Sequence, residues 1–441
     1  MALSGIQIYK LLPQTNCKEC GFPTCLAFSM KLAAKQAELS ACPYVSETSK
    51  KQLEESSQPP IRLISLKAGG LEVKAGNETV MFRHEKTFFN RPGLFIKVKA
   101  SEGEATITTK VRIADNYKVN YVGIDLSVDG FAVEDDGGDY SAAVKAVRSA
   151  TKRPLILVGK DPVKLGAGLG VVSGENALLD AADDSNWEAM TEVARKHNAS
   201  LVVSAENLDA LADLIGKVKG KGQEDIVLKL NATKLGPHLA LSTQARRLAL
   251  KANFRPLGYP IITFAEGGDG RDSVVAAQAI TKYSGFVVLE RFAPELVYPL
   301  LVLRQNIYTD PQKPIQVQPA IYEINNPKPE SPVLVTTNFS ITYFSVANEV
   351  EGSGLQAWLV VCDAEGMSVL TAWAAGKFDS ERIAKTIKSF NVADKVSRKR
   401  LVLPGHVAVL SGELEAELPD WEIRVGPREA VDLPAFMKQA L

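Results

Sequence analysis

Apolar and polar residues change rhythm repeatedly along this chain, and each rhythm predicts a different element. From Ala27 to Leu39 (AFSMKLAAKQAEL), alanines with Leu32 and Leu39 recur at helical spacing and predict one short helix. The run 51–60, KQLEESSQPP, is polar and ends in two prolines that hold the chain extended, which reads as a linker. Between 61 and 92, short alternating runs such as Arg62–Leu66 and Thr79–Phe82 are separated by Gly69-Gly70 and Gly76-Asn77, the pattern of a small β-meander.

From about 93 to 310 the pattern becomes strand, then amphipathic helix, over and over. Strand candidates are Leu94–Val98, Tyr121–Leu126, Leu155–Val158, Leu201–Val203, Ile226–Leu230, Ile261–Phe264 and Phe286–Leu289, with helical segments such as Asn186–His197, Leu208–Val218 and Asp272–Tyr283 between them. Short apolar strands alternating with helices predict a parallel sheet covered by helices. The number of units over this length matches a (β/α)8 TIM-like barrel better than an open doubly wound sheet. Prolines at 311, 314, 319, 327, 329 and 332 then mark a semi-rigid tether. Beyond it, strands Val333–Thr336, Leu359–Cys362, Leu401–Leu403 and Glu422–Val425 alternate with helices, from about Ser340 to Val350, Ser380–Phe390, His406–Glu415 and onward from Leu433. This is an open α/β domain of a size common to cofactor binding, with its ligand expected at the carboxyl ends of the strands. The chain is thus read as α/β and multidomain: 1–58 carrying the cysteines, 59–310 the meander plus barrel, 311–332 the proline-rich linker, and 333–441 the open α/β domain.

Composition narrows the partners. Fifty-one Lys plus Arg balance 51 Asp plus Glu, so no global positive field draws the chain to nucleic acid or an anionic membrane. Hydrophobic residues at 46% and charged residues at 23% are ordinary globular values. Met1 to Gly5 lacks a charged region followed by an apolar stretch, and no apolar run approaches the ~20 residues of a membrane span, so a soluble cytoplasmic protein is expected.

Four of the five cysteines, Cys17, Cys20, Cys25 and Cys42, lie close together near the N-terminus, and Cys362 stands alone. Clustered thiols in a reducing compartment suggest a metal rather than a disulfide framework. The spacing C-x2-C-x4-C-x16-C, with Gly21 and Pro23 supplying a turn and a helix returning Cys42, suits four thiolates around a [4Fe–4S] cluster. Structural zinc also accepts four cysteines, usually as two separated C-x2-4-C pairs, and only one such pair is present here. Zinc and free thiols stay open as alternatives.

The cysteine motif, the following Pro43-Tyr44, the barrel-like centre and the stretch Gly366-Met-Ser-Val-Leu-Thr-Ala-Trp-Ala-Ala-Gly-Lys377 resemble the large (gamma) subunit family of corrinoid iron–sulfur proteins of the acetyl-CoA, or Wood–Ljungdahl, pathway, also called acetyl-CoA decarbonylase/synthase gamma subunits. The resemblance implies a methyltransferase-type carrier subunit with no catalytic residue of its own, whose cofactors are a [4Fe–4S] cluster and a cobamide, a corrinoid holding cobalt. It implies a heterodimer with a small corrinoid iron–sulfur subunit, and work with a methyltetrahydrofolate methyltransferase, acetyl-CoA synthase/CO dehydrogenase and a reductive activator. Cobalt(I) would take a methyl group from methyltetrahydrofolate and deliver it to a nickel site, while the cluster restores cobalt(I) from cobalt(II). Proline-rich tethers would let the cofactor domains meet several partners in turn.

Many cobalamin proteins carry Asp-x-His-x-x-Gly, whose histidine binds cobalt. None of His84, His197, His238 and His406 sits in that pattern, and His406 reads as structural or helix-starting. The implied cobamide is therefore expected without a protein nitrogen on its lower face. Its pocket is expected at strand exits and helix starts of the last domain: Thr336, Thr337 and Asn338, then Ser340, then Leu370, Thr371, Ala372 and Trp373 with Gly376, together with Thr342, Val346, Gly354, Gly426 and Ala430. Gly166-Ala-Gly168-Leu-Gly170 is not a dinucleotide fingerprint and reads as a loop, and Gly267-Gly268-Asp269-Gly270 reads as a structural turn. Cys362, ending an apolar strand, reads as buried and inert. Two other functions remain: an iron–sulfur electron-transfer enzyme with a catalytic barrel, marked by perturbed residues at the barrel mouth, and a zinc-stabilised scaffold.

Overall fold

The computed structural model describes residues 5–33, 36–50, 53, 59–86, 88, 90–121, 124–232, 234–268, 270–308 and 315–440. Its contacts divide the chain into two units, Met1–Tyr117 with Ser127–Tyr308, and Lys118–Leu126 with Thr309–Leu441.

In the first unit, β1 (Ile64–Ala68) and β2 (Leu71–Ala75) pair antiparallel across Gly69-Gly70, both at positive φ, which a two-residue hairpin turn requires. The chain continues through β3 (Gly93–Lys99). A small antiparallel pair, β4 (Val119–Tyr121) and β5 (Ile124–Leu126), belongs to the second unit. The first unit resumes with β6 (Gly130–Glu134), β7 (Leu155–Val158), β8 (Leu178–Ala182), β9 (Ser200–Ala205), β10 (Ile226–Leu230), β11 (Ile261–Ala265) and β12 (Ser284–Leu289). With β3 these close into an eight-stranded barrel in the order β3-β6-β7-β8-β9-β10-β11-β12. Every neighbouring pair is parallel and every strand is followed by a helix, from Glu104–Asn116 after β3 to Pro294–Ile307 after β12. Local sequence starts several of these helices. Asp139, Asp161 and Asn207 each accept a hydrogen bond from a backbone N–H two or three residues on, and Pro162 sits in the first turn, where its missing N–H costs nothing.

The barrel interior is filled by buried apolar side chains, among them Phe95, Ile156, Val202, Val227, Ile262 and Phe286. Ile64, Leu66, Val73 and Ala75 of the β1–β2 hairpin join the same pack, which stoppers the amino-terminal end. Two strand-start glycines permit this approach: a Cβ on Gly93 would lie 2.7 Å from Val73 Cγ1, and one on Gly285 2.6 Å from Ala75 Cβ. The carboxyl end is left as the open mouth, where barrels carry their sites.

In the second unit, β13 (Ile321–Ile324), β14 (Val333–Thr337), β15 (Ala357–Cys362), β16 (Arg400–Leu403) and β17 (Glu422–Val425) form one sheet in the order β13-β15-β14-β16-β17. β13 is an antiparallel edge and the rest are parallel. Helices cover both faces. Val333, Val335, Val360 and Leu401 pack on the side of helix Ser380–Ser389, while Leu334, Leu359, Val361 and Val402 pack on the side of helices Ser340–Gly352 and Leu433–Ala440.

Several expectations need correction. Among the described residues of 61–92 there is one hairpin rather than a meander, and Thr79–Phe82 is not a strand. Tyr121–Leu126 is not a barrel strand but the β4–β5 hairpin, and the barrel instead uses β6 and β8. Gly166–Gly170 is not a loop: it lies in helix Pro162–Val171, where a Cβ on Gly168 would come within 2.8 Å of the Tyr140 ring. The helix expected over Ala27–Leu39 is Cys25–Ala33, followed by a 3-10 turn at Leu39–Ala41. The proline-rich stretch is more than a tether, since its residues 321–324 supply the edge strand β13. Most of the 51–60 linker, the first prolines of 311–332 and Asp269 lie outside the described residues.

Candidate functional site

Two places gather chemistry. The first is the cysteine loop. Backbone at positive φ recurs at Gln14, Asn16, Lys18 and Gly21, coiling the chain tightly around Cys17 and Cys20. The Gly21 N–H donates to Lys18 O at 2.9 Å to close that turn. Cys25 opens helix Cys25–Ala33, its N–H donating to Asn16 Oδ1 at 2.8 Å, so the sulfur stands at the positive end of the helix. Cys42 follows the 3-10 turn and donates its N–H to Leu39 O. The hydroxyl of Tyr44 donates to Glu19 Oε1 at 2.8 Å, tying the segment after Cys42 back to the loop between Cys17 and Cys20. That hydrogen bond pushes the Tyr44 phenol up, and the nearby Cys17 and Cys42 add to the push.

Cys20, Cys25 and Cys42 border one apolar pack built on Ile8, Leu12 and Phe28, with the Phe22 and Phe28 rings 5.3 Å apart, while Cys17 is exposed. All four thiols are free, and among the described residues no three Cys, His, Asp or Glu side chains already converge as metal ligands. The donors fit an iron–sulfur cluster by their chemistry. They are four sulfurs, three of them bordering one apolar pack, and the Glu19 carboxylate between Cys17 and Cys20 is engaged by Tyr44.

The second place lies at the carboxyl ends of the second unit's sheet. The chain runs from β14 to β15 on one side and later returns to β16 on the other, so strand order reverses between β14 and β16, where open α/β sheets hold ligands. A cavity of about 540 Å³ opens there, with Thr336 of β14 and Leu403 of β16 in its wall. Close backbone approach shapes its floor. The Gly426 N–H donates to Leu403 O at 2.8 Å, and a Cβ on Gly426 would lie 2.8 Å from Val402 Cγ1. Ile341, Leu370 and Val431 leave an exposed apolar rim. Inside, Thr336 is 1% exposed and its hydroxyl has no hydrogen-bond partner, a buried polar atom that a ligand would satisfy.

Six expected pocket residues share this wall: Thr336, Thr342, Val346, Leu370, Gly426 and Ala430. The other eight are elsewhere. Thr337, next to Thr336 in β14, is fully buried and does not line the cavity, and Ala372 is in the core. The Asn338 side chain is a strut, accepting from the N–H groups of Ala364 and Gly366 and donating to Asp363 and Gln316. Ser340 spends its N–H on Ile315 O, and the Thr371 hydroxyl meets that of Ser368. Trp373 and Gly376 are exposed on and after helix Val369–Ala374. Gly354, at φ 71°, follows helix Ser340–Gly352 at the amino-terminal edge of the sheet, the end opposite this cavity. Sequence reasoning missed Ser345, Asn348, Glu349, Arg428 and Glu429, and set aside His406, which lines the cavity with Nε2 3.9 Å from Glu429 Oε1. The i, i+4 relation of Thr342 to Val346, and of Ser345 to Glu349, was the available signal for one helical wall.

Residues 64–437 match the family model described as CO dehydrogenase/acetyl-CoA synthase delta subunit, and residues 12–44 match the one described as "Putative Fe-S cluster". The corrinoid/iron-sulfur protein large subunit of Moorella thermoacetica is 42% identical over 100% of this chain and 100% of its own. An acetyl-CoA decarbonylase/synthase complex subunit gamma of Methanopyrus kandleri is 33% identical over 99% of this chain and 98% of its own. Among solved structures, a dihydropteroate synthase of Xanthomonas albilineans in complex with 7,8-dihydropteroate aligns with 56% of this chain and 99% of its own, at 12% identity and a TM-score of 0.38, a likeness too remote to bear on function.

Proposed function

This chain belongs to the family of corrinoid/iron–sulfur protein large subunits and acetyl-CoA decarbonylase/synthase gamma subunits, and on that premise we propose that it is the corrinoid-holding methyl carrier of an acetyl-CoA synthase system. When bound, a corrinoid supplies the nucleophilic cobalt that takes up and releases a methyl group, and a [4Fe–4S] cluster supplies the low-potential electron that returns cobalt to its active state. The partners this role requires are a small corrinoid subunit, a methyltetrahydrofolate methyltransferase as donor, acetyl-CoA synthase as acceptor, and a reductive activator.

The observation that carries the reading is the cavity at the β14/β16 reversal with the unpartnered Thr336 hydroxyl in its wall. Thr336 would receive or donate a hydrogen bond to a polar substituent of the corrinoid, and the apolar rim of Ile341, Leu370 and Val431 would shield one face of a flat macrocycle from water. Gly426 and Ala430 keep that side low enough for close approach. Cys17, Cys20, Cys25 and Cys42 would hold the cluster. Among the described residues no helix is long and apolar enough to cross a membrane.

The test is to co-produce the chain anaerobically with a small subunit in a corrinoid-making host and to repeat this with Ala430→Phe, which puts an aromatic ring on the cavity wall. The wild-type pair is expected to carry a corrinoid absorption band, and the variant to lose corrinoid at least about tenfold while keeping its iron. Unchanged corrinoid content in the variant would overturn the placement.

A further inference from the structure

Side chains alternate along a barrel strand, so residues two apart share the interior and can be compared level by level. The lower level is apolar on every strand, from Phe95 on β3 to Phe286 on β12. Two residues farther on, Lys97, Glu134, Asp180, Ser204 and Lys229 take the inward positions instead. The register agrees: Asp180 and Glu134 both pair with inward Val158, and Ser204 pairs with Lys229.

Lys97 and Asp180 in this layer are buried, while the Glu134 and Lys229 side chains keep 28% and 34% of their surface exposed. The Lys97 side chain is 4% exposed, with Nζ 3.0 Å from Glu266 and 3.4 Å from Glu134, and closer still to Glu290. Burial opposes its charge, but the hydrogen bonds to Glu290 and Glu266 win and hold its pKa above the ordinary lysine value. Asp180 is 1% exposed. Its Oδ2 accepts from Lys229 Nζ at 2.8 Å, and its Oδ1 has no partner. Replacing buried ion pairs by packed apolar side chains is often neutral or stabilising, so a barrel serving only as scaffold could have repeated the layer below.

Over the layer opens a cavity of about 270 Å³. It presents two ammonium groups, Lys229 on β10 and Lys234 just after it, and two carboxylates, Glu134 on β6 and Glu266 after β11, with Ser204 and Asn231 beside them. β6 and β10 stand opposite one another in the ring of eight, so Glu134 faces Lys229 across the mouth. Both signs of charge are therefore offered within the span of a small molecule.

We propose that the carboxyl mouth of this barrel is a binding site for a small zwitterion of the amino-acid class. Its carboxylate meets Lys229 and Lys234, and its ammonium meets Glu134 and Glu266. The site lies wholly within the first unit and stands apart from the corrinoid reading. The test is calorimetric titration of the full iron-loaded chain with glycine, L-alanine and L-glutamine as probes, and with succinate and putrescine as analogues carrying one sign of charge. Saturable binding of at least one zwitterion is expected, with succinate and putrescine silent. Glu266→Gln, which leaves Lys97 its carboxylate partners Glu134 and Glu290, and Lys234→Ala, both at exposed positions, are expected to weaken binding by about tenfold or more. Silence from all three zwitterions, binding that both variants leave intact, or tighter binding of succinate or putrescine would overturn the proposal.

Discussion

Thr336 and Thr337 are neighbours with the same side chain and different surroundings. Both hydroxyls are buried without a partner, which costs about 1–3 kcal/mol each, but only Thr336 borders the cavity. Thr337→Val is expected to raise the unfolding free energy in urea by about 1 kcal/mol and leave corrinoid content alone. Thr336→Val is expected to stabilise the metal-free chain similarly but to weaken corrinoid binding, and equal corrinoid retention by the two variants would contradict this. Cys362 is buried, and burial pushes its thiol up to about 12, whereas Cys17 is exposed. In metal-free chain, iodoacetamide should label Cys17 under native conditions and reach Cys362 only after denaturation, as read by peptide mass mapping. His238 is buried against Thr263 and Gln278, and that burial lowers its pKa from 6.5. The unfolded chain thus binds the extra proton first. The stability this represents is present above pH 6.5 and is lost as pH falls from there through the folded value. His238→Gln should flatten the fall in melting temperature between about pH 7 and 5, and an unchanged slope would contradict the assignment.

At the scale of elements, periodicity was a good guide where strands are dense in Val, Ile, Leu and Phe and a poor one where small residues thin that run. Leu155–Val158 and Phe286–Leu289 stand out as apolar runs, and both are barrel strands. β8 (Leu178–Ala182) is interrupted by Asp180 and padded with alanines, and β6 begins at a glycine, so neither announces itself. Small residues misled in the opposite sense at Gly166–Gly170, which is helical and where Gly168 makes room for the Tyr140 ring. Asn338 illustrates the limit at the pocket. Its position at a strand exit is readable, but its side chain turns inward to hold the 363–366 loop. Asn338→Ala strips the acceptor from two buried N–H groups and is expected to cost about 2–4 kcal/mol in urea unfolding. A loss under about 1 kcal/mol would mean the loop holds itself.

Across the whole molecule, the cysteine site was legible because its chemistry is local: four thiols within one short stretch need little tertiary information. The cavity at the β14/β16 reversal was legible only in level, since strand exits follow from the pattern, whereas the wall each residue joins depends on strand order. Leu370 and Ala430 come from segments that only the sheet brings together, and Arg428 and His406 had no local signal at all. The central claim, a chain that carries both an iron–sulfur cluster and a corrinoid, is tested most directly by metal analysis of anaerobically purified protein, alone and co-produced with a small subunit in a corrinoid-making host. About four iron atoms per chain in both preparations, with cobalt joining them in the pair, is the expected result. Iron without cobalt in both, or zinc in place of iron, would contradict it.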